Sequence, residues 1–312
     1  MCNRKKILFY FLHPKRALIN LLYKYSHLIK SDKLYIVLMY LVLIRKYPNI
    51  NSPKTFTEKL QWIKLYDRKP IYHKMVDKVD VKEYIESKIG KGFTIPTIGV
   101  WNNFDDIDFS LLPDQFILKC THDSGSYSIC KDKREYDFVA AKNKVNHAFK
   151  KDYYLYSREW PYKGLTKRIL VEPLLKDNSG GDFLRDYKFY CFNGIPKFLY
   201  ITSDRGTTSG LKEDFFYING ERCEFSQKGE SPASITPSFP KNISEMIRIS
   251  QILSEDTYHL RVDFYEINDK IYVGELTFFD GGGFVPFNPN KYNSQIGDWI
   301  KLPVDKQKSA KK

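Results

Sequence analysis

The sequence predicts an α+β fold, and three observations carry that prediction. Apolar residues recur at helical spacing up to about residue 90, a middle stretch mixes short strands with one helical segment, and two tight-turn hairpins with alternating strands follow with a helix between them. With 42% hydrophobic residues over 312 positions there is ample material for a buried core, which excludes disordered and low-complexity classes.

In chain order, residues 1–50 read as a basic helical region. Two or three short helices are flanked by Arg4-Lys5-Lys6, Lys15-Arg16 and Arg45-Lys46. Their longest apolar run, Leu34–Ile44, falls well short of the roughly 20 residues a membrane span needs. The opening stretch breaks at His13-Pro14-Lys15-Arg16 with no small-residue cleavage site behind it, so no signal peptide is expected. These helices either rest on the inner membrane leaflet or pack on the body; on a leaflet each basic residue adds on the order of 1 kcal/mol. A helical segment follows at 51–92. Asn51-Ser52-Pro53 turns the chain, Thr55 or Thr57 caps a helix to Tyr66, and a second helix is expected over Tyr72–Lys88 until Gly90-Lys91-Gly92 stops it.

Strands are expected next at Phe93–Val100 and Phe116–Cys120, then a helix at Asp137–Phe149. The strand Arg168–Leu175 follows. Asp186–Phe192, Asn193-Gly194 and Ile195–Thr202 form one hairpin, and Leu260–Glu266 with Ile271–Thr277 form another around Asn268-Asp269. A helix over Phe239–Ser254 lies between the hairpins, and 305–312 reads as a frayed polar tail.

The 50 Lys+Arg against 37 Asp+Glu leave a net charge of +13, which favours anionic company such as phosphates, an acidic glycan or an anionic leaflet. No nucleic-acid reading motif is present and the basic residues are spread, so nucleic acid is not expected. Five cysteines (Cys2, Cys120, Cys130, Cys191, Cys223) without a CxxC pair imply free thiols in a reducing, cytoplasmic setting.

The second hairpin holds the most informative chemistry. Arg261 and Asp263 share one sheet face, as do Glu275 and Thr277 on the partner strand, and a register set by Asn268-Asp269 allows Asp263 and Glu275 to face each other. Two close carboxylates in a partly dry site repel strongly unless a cation separates them, and Mg²⁺ with phosphate oxygens suits such a pair. The spacing equally allows both acids to face solvent and pair with lysines. Lys119 leaves a strand into Thr121-His122-Asp123-Ser124-Gly125-Ser126, a loop that offers an ammonium group and backbone N–H groups to phosphates. Glu172 ends an apolar strand and, if buried, needs a donor. Lys188 could face the same cleft, whereas Lys78 alone reads as a solvated helix face.

In sequence order these fragments resemble an ATP-grasp ligase, most closely the teichuronopeptide-biosynthesis (TupA-like) branch, over about Asn51 to Pro303. The resemblance rests on SPKTFTEKLQWIKLYDRKP, MVDKVDVKEYI, FILKCTHDSGS, ILVEPLL, RDYKFYCFNGIPKF, RVDFYEINDKIYVGELTFFDGGGF and FNPNKYNSQIGDWIKLP. It implies a two-lobe fold, a small lobe at 93–170 and a large one at 171–304, whose antiparallel sheets clamp ATP, with Lys78 and Lys119 on the phosphates and Ser124, Gly125 and Ser126 closing over them. Glu172 would lie at the hinge by adenine and ribose. Asp263, Glu275 and Thr277 would hold Mg²⁺, and Arg261 would steady the transferring phosphoryl group. Two departures stand out: Glu275-Leu276-Thr277 replaces the usual Glu-x-Asn, and Asp123 occupies a position where related sequences tend to have a small residue. Asp280, Gly281, Gly282 and Gly283 would shape the acceptor side. The implied reaction makes an amide through an acyl phosphate, joining an amino acid or other amine to a uronic-acid carboxyl in surface-glycan biosynthesis. Two alternatives remain. Asp105-Asp106-Ile107-Asp108 superficially resembles a glycosyltransferase motif, and the positive charge would also suit a non-catalytic glycan- or membrane-binding protein.

Overall fold

The computed structural model describes residues 14–176, 184–203, 210–227, 229 and 231–304. Cys2, the Arg4-Lys5-Lys6 cluster and the 305–312 tail lie outside them. Among the described residues the chain forms nine α-helices and three sheets.

Helices α1 (Pro14–Lys24) and α2 (Asp32–Ile44) come first. Ser31 caps α2 by accepting the Leu34 N–H at 3.2 Å, and α2 contains the long apolar run. No described helix is long and apolar enough to cross a membrane. The inner side of this pair packs on the body. Tyr35, Met39 and Tyr40 cluster with Phe284, and Arg158 donates to the carbonyls of Ser26 and Ile29 at 2.6 and 2.8 Å.

Helix α3 (Phe56–Tyr66) starts at Thr55, not Thr57. Thr55 Oγ1 accepts the Glu58 N–H at 3.3 Å while Glu58 Oε2 accepts the Thr55 N–H at 3.1 Å, a reciprocal capping box. Thr57 is instead buried, 2.9 Å from the Tyr40 hydroxyl. The single helix expected over Tyr72–Lys88 is two, α4 (Ile71–Val76) and α5 (Asp80–Ile89). Buried Asp77 breaks it, because its Oδ1 accepts the N–H groups of Val79 and Asp80 at 2.9 and 3.1 Å and offers the backbone an alternative to the helix. Lys78 sits at that break.

The first sheet has the order β1-β4-β2-β3, from β1 (Gly99–Trp101), β2 (Phe116–Cys120), β3 (Tyr127–Cys130) and β4 (Ile169–Pro173). The expected strand at Phe93–Val100 is thus reduced to its last residues, since Pro96 brings no N–H to a ladder. One face of the sheet packs Phe116, Leu118, Ile169 and Val171 on Ala141 and Val145 of α6 (Phe138–Phe149). A short helix, α7 (Tyr154–Ser157), follows.

The second sheet has five strands, built from β5 (Tyr187–Phe192), β6 (Ile195–Ser203), β7 (Lys212–Tyr217), β9 (His259–Ile267) and β10 (Lys270–Thr277) in the order β10-β9-β5-β6-β7. Both predicted hairpins form. Asn193 and Gly194 take φ of 47° and 79°, and Asn268 and Asp269 take 51° and 64°, the paired positive values that match the right-handed strand twist. The helix expected from Phe239 begins only after Pro240, as α8 (Ile243–Ser254), and covers β5, β6 and β9 with Met246, Ile249 and Leu253. Strands β8 (Ser226–Gln227) and β11 (Phe287–Asn288) pair as a small third sheet, and α9 (Lys291–Trp299) packs on α3. Cys120, Cys130 and Cys191 are buried free thiols, and Cys223 is a half-buried one.

Candidate active site

The two larger sheets enclose a cavity of about 360 Å³. On the small-sheet side, alternation turns Ile117, Lys119, Leu170 and Glu172 inward, with Ile117 directly opposite Glu172. The Glu172 side chain is only 3% exposed and accepts Lys82 Nζ at 2.5 Å and Lys119 Nζ at 2.6 Å. Burial pushes its carboxyl up, but the two ammonium groups outweigh that and hold it below the ordinary range. Burial conversely lowers Lys82, which also donates to the Ile95 carbonyl and to Thr97 Oγ1 at 2.7 Å each.

The loop after β2 forms one end of the cavity. Lys78 Nζ donates to the Asp123 carbonyl, and Ser124, Gly125 and Ser126 all line the wall. Asp123 lines neither this cavity nor the one described next. Its Oδ2 instead accepts from Ser126 Oγ at 2.5 Å, so the extra carboxylate is turned into its own loop.

On the large-sheet side the register carries the chemistry. Counting back from Asn268-Asp269, a regular ladder would set Gly274 opposite Asp263 and send Glu275 to the other face. A bulge between Val273 and Glu275 inserts one residue, so Glu275 pairs with Asp263 and Thr277 with Arg261. Gly274 suits the bulge, because a Cβ there would lie 2.7 Å from the Tyr265 ring. The facing acids therefore arise from this irregularity rather than from the turn alone.

Asp263 is buried and ion-paired twice. Arg261 donates to its two oxygens at 2.7 and 2.8 Å, and Lys188, its cross-strand neighbour, donates to Oδ2. Burial raises its carboxyl, yet Arg261 and Lys188 hold it below the usual value. Asp280 takes the other side of the Arg261 guanidinium and accepts the Tyr190 hydroxyl at 2.5 Å; it too is held low against the burial that would raise it. Glu275 differs. Its side chain is 35% exposed and its ion-pair distance to Arg261 is 4.0 Å.

A second cavity of about 470 Å³ shares Ser124 and Glu275 with the first. Arg261, Thr277, Asp280, Gly281 and Gly282 contribute to its lining, together with Tyr153, Tyr156, Tyr162 and Glu159. Tyr23 of α1 and Leu43 of α2 complete part of the wall. Gly283 lines neither cavity; its missing Cβ gives room to Gln61 and Leu60 of α3. Beneath the glycines, fully buried Lys64 donates to the Ser157 carbonyl at 2.8 Å and to the Gly282 carbonyl. Its Nζ also lies 4.2 Å from the Phe284 ring centroid. Burial lowers Lys64 and raises Glu159, whose carboxylate accepts Ser157 Oγ at 2.5 Å.

The structure thus gathers Lys78, Lys119, Glu172, Lys188, Asp263 and Glu275 around one cavity, and Arg261, Thr277 and Asp280 around its neighbour. Asp105, Asp106 and Asp108 line neither; they contact Lys142, Asn103 and Ser110 at the surface. Among the described residues no three or more His, Cys, Asp or Glu converge as metal ligands. Of the three expected Mg²⁺ ligands Glu275 is the most open, because Asp263 already accepts from Arg261 and Lys188 and Thr277 Oγ1 accepts from Arg261 Nη2 at 3.2 Å. A Mg²⁺ bringing phosphate oxygens would bind Glu275 and displace one of those donors to reach Asp263.

Sequence reasoning missed Lys82, Lys64, Glu159 and the tyrosines. Lys82 was detectable, four residues beyond Lys78. Lys64 sits four residues after Leu60, on the apolar face of its helix, where a lysine is out of place unless partnered.

A family profile described as TupA-like ATP-grasp matches residues 58–301. No curated protein matches the chain. Among solved structures, D-alanine–D-alanine ligase from Bacillus anthracis complexed with ATP is 14% identical, with a TM-score of 0.45 over 76% of this chain and 68% of that one. The Helicobacter pylori D-alanine–D-alanine ligase is 13% identical with a TM-score of 0.44, covering 80% and 68%. The ATP-grasp ligase PsnB, complexed with a phosphomimetic variant of its minimal precursor, Mg and ADP, is 11% identical with a TM-score of 0.41, covering 86% and 68%.

Proposed function

The chain belongs to the TupA-like ATP-grasp family, and on that premise we propose that it is an ATP-dependent ligase joining a carboxylate to an amine. The carboxylate is read as a uronic acid of a surface glycan or its precursor, and the amine as an amino acid or a similar compound. One observation carries this reading: Glu275 stands where the two cavities meet, opposite Asp263 and across the cleft from the Lys119–Glu172–Lys82 cluster.

ATP is a substrate. The lysines and the Ser124–Ser126 loop would bind its phosphates, and the apolar wall formed by Val81, Ile85, Ile117 and Leu170 would take the base. Mg²⁺ held by Asp263, Glu275 and Thr277 would neutralise phosphate charge. A carboxylate oxygen of the acid forms a bond to the γ-phosphorus and ADP leaves. The amine nitrogen then bonds to the acyl carbon, phosphate leaves, and a proton is released. Alignment and charge neutralisation are what the protein supplies; no covalent nucleophile is needed, and Cys120, Cys130 and Cys191 are buried.

The test is ADP release from Mg-ATP with D-glucuronate or D-galacturonate and a panel of amino acids. Asp263→Asn and Glu275→Gln should each lower the rate at least ~100-fold, about 2.7 kcal/mol. Full activity in both variants removes the metal assignment.

A further inference from the structure

The positive charge of the chain is not spread evenly. Residues 1–50 hold ten Lys and Arg but a single acid, Asp32, so nine of the thirteen net positive charges lie there. Asp32 is itself occupied, 2.7 Å from Arg68 and 3.6 Å from Arg158 of the body. The same stretch carries an apolar surface. Leu18, Leu21, Tyr25 and Leu28 recur three, four and three residues apart and are 44%, 53%, 41% and 64% exposed. On α2, Leu34 and Leu41 are 52% and 39% exposed, because that helix is apolar nearly all round while only one side of it meets the body. Lys24, Lys30, Lys33, Arg45 and Lys46 are exposed around these leucines. The sequence just before α1, with Arg4-Lys5-Lys6 and then ILFYFL at 7–12, repeats the composition.

We propose that α1, α2 and the turn between them dock the protein on the surface of an anionic phospholipid bilayer. Leucines would enter the acyl boundary while the ammonium and guanidinium groups pair with headgroup phosphates. A second copy of the chain fits worse, because an isologous contact would set two strongly positive patches against each other. A soluble polyanion would satisfy the charges but leave the leucines wet. The docking surface is joined to the site by Tyr23 and Leu43, which also line the second cavity, so an acceptor carried on a lipid would reach its cavity beside the bilayer. The docking itself does not rest on the ligase reading.

The test uses the full chain and extruded vesicles in a co-sedimentation assay. Vesicles of equal parts phosphatidylglycerol and phosphatidylcholine should bind at least ten times more protein than pure phosphatidylcholine, and 0.5 M NaCl should remove most of the difference. Leu21→Glu/Leu28→Glu should lower binding at least tenfold with an unchanged unfolding midpoint. Should that variant unfold, Lys30→Glu/Lys33→Glu, which alters exposed charges only, must give a loss of at least threefold. Equal binding to both vesicle types, parental binding by the folded variants, displacement of the protein from vesicles by soluble polygalacturonate, or a parental dimer in sedimentation that the leucine variant dissociates would each overturn the proposal.

Discussion

The two cavities share Ser124 and Glu275 yet differ in the cations they hold. Carboxylates line both, but Lys78, Lys82, Lys119 and Lys188 ring the first over an apolar floor, whereas Tyr23, Tyr153, Tyr156 and Tyr162 wall the second, with Arg261 as its cation. Arg261 is deep and saturated by Asp263 and Asp280; Lys119 has a side chain 21% exposed and shares Glu172 with Lys82. The contrast teaches that one charge network is locked and the other adjustable. An arginine clamped between two carboxylates holds a fixed frame, while flexible lysines can exchange a carboxylate for arriving phosphates.

The largest effect should come from breaking the locked network. Arg261→Leu leaves buried Asp263 and partly buried Asp280 without their main counter-ion, and a loss of about 3–5 kcal/mol is expected from urea unfolding. Lys119→Met leaves Lys82 on Glu172 and should cost only about 1–2 kcal/mol. Equal losses would erase the distinction.

Acid should probe the same difference. His259 lies buried in the large sheet, its Nδ1 2.9 Å from the Cys191 carbonyl, and burial pushes its pKa down to about 4. The unfolded chain therefore takes up this proton first as pH falls below about 6.5, and stability declines between roughly pH 6.5 and 4, by about 3 kcal/mol in all. Asp263, Asp280 and Glu172 are held low in the fold; their contribution is present above the unfolded carboxylate range and is lost only at still lower pH, as each folded value is passed. Urea midpoints measured from pH 7 to 4 should show the earlier loss in the parent and its absence in His259→Phe.

Some of this architecture was legible in the sequence. Asn193-Gly194 and Asn268-Asp269 announce their hairpins because few residues accept two successive positive φ values. Lys119 and Glu172 announce themselves as charges at the ends of apolar strands. The facing of Glu275 and Asp263 was harder, since a one-residue bulge at Gly274 reverses the faces and an isolated glycine inside the strand is its one local sign. In the second cavity Arg261, Thr277, Asp280, Gly281 and Gly282 were expected at the site, but the tyrosine wall was not legible. Its tyrosines come from residues 153–162, which reach the site only through tertiary packing, and Tyr23 and Leu43 arrive from helices outside the matched range. Net charge misled in another way, because a whole-chain sum hides that most of it lies before residue 50.

On the proposed function, the cavities should also separate kinetically. Lys119→Ala should raise the KM for ATP about tenfold, about 1.4 kcal/mol, and leave the acceptor KM near its parental value. Tyr156→Ala, in the other lining, should do the reverse. A variant that shifts both constants together would mean the two chambers act as one.

The smallest contrast concerns two glycines. Gly125, in the lysine-ringed cavity, has φ of +92° with no atom within 4 Å of where a Cβ would point. Gly281, in the tyrosine-lined cavity, has φ of +53°, and a Cβ there would lie 2.4 Å from Val285 Cγ2. Gly281→Ala therefore meets both backbone strain and a clash, whereas Gly125→Ala meets strain alone, worth about 1 kcal/mol. Urea unfolding should rank Gly281→Ala as the more damaging of the two. If Gly125→Ala instead proves the worse, the phosphate-side loop is as tightly held as the acceptor side, and the picture of one locked and one adjustable wall fails at its most sensitive point.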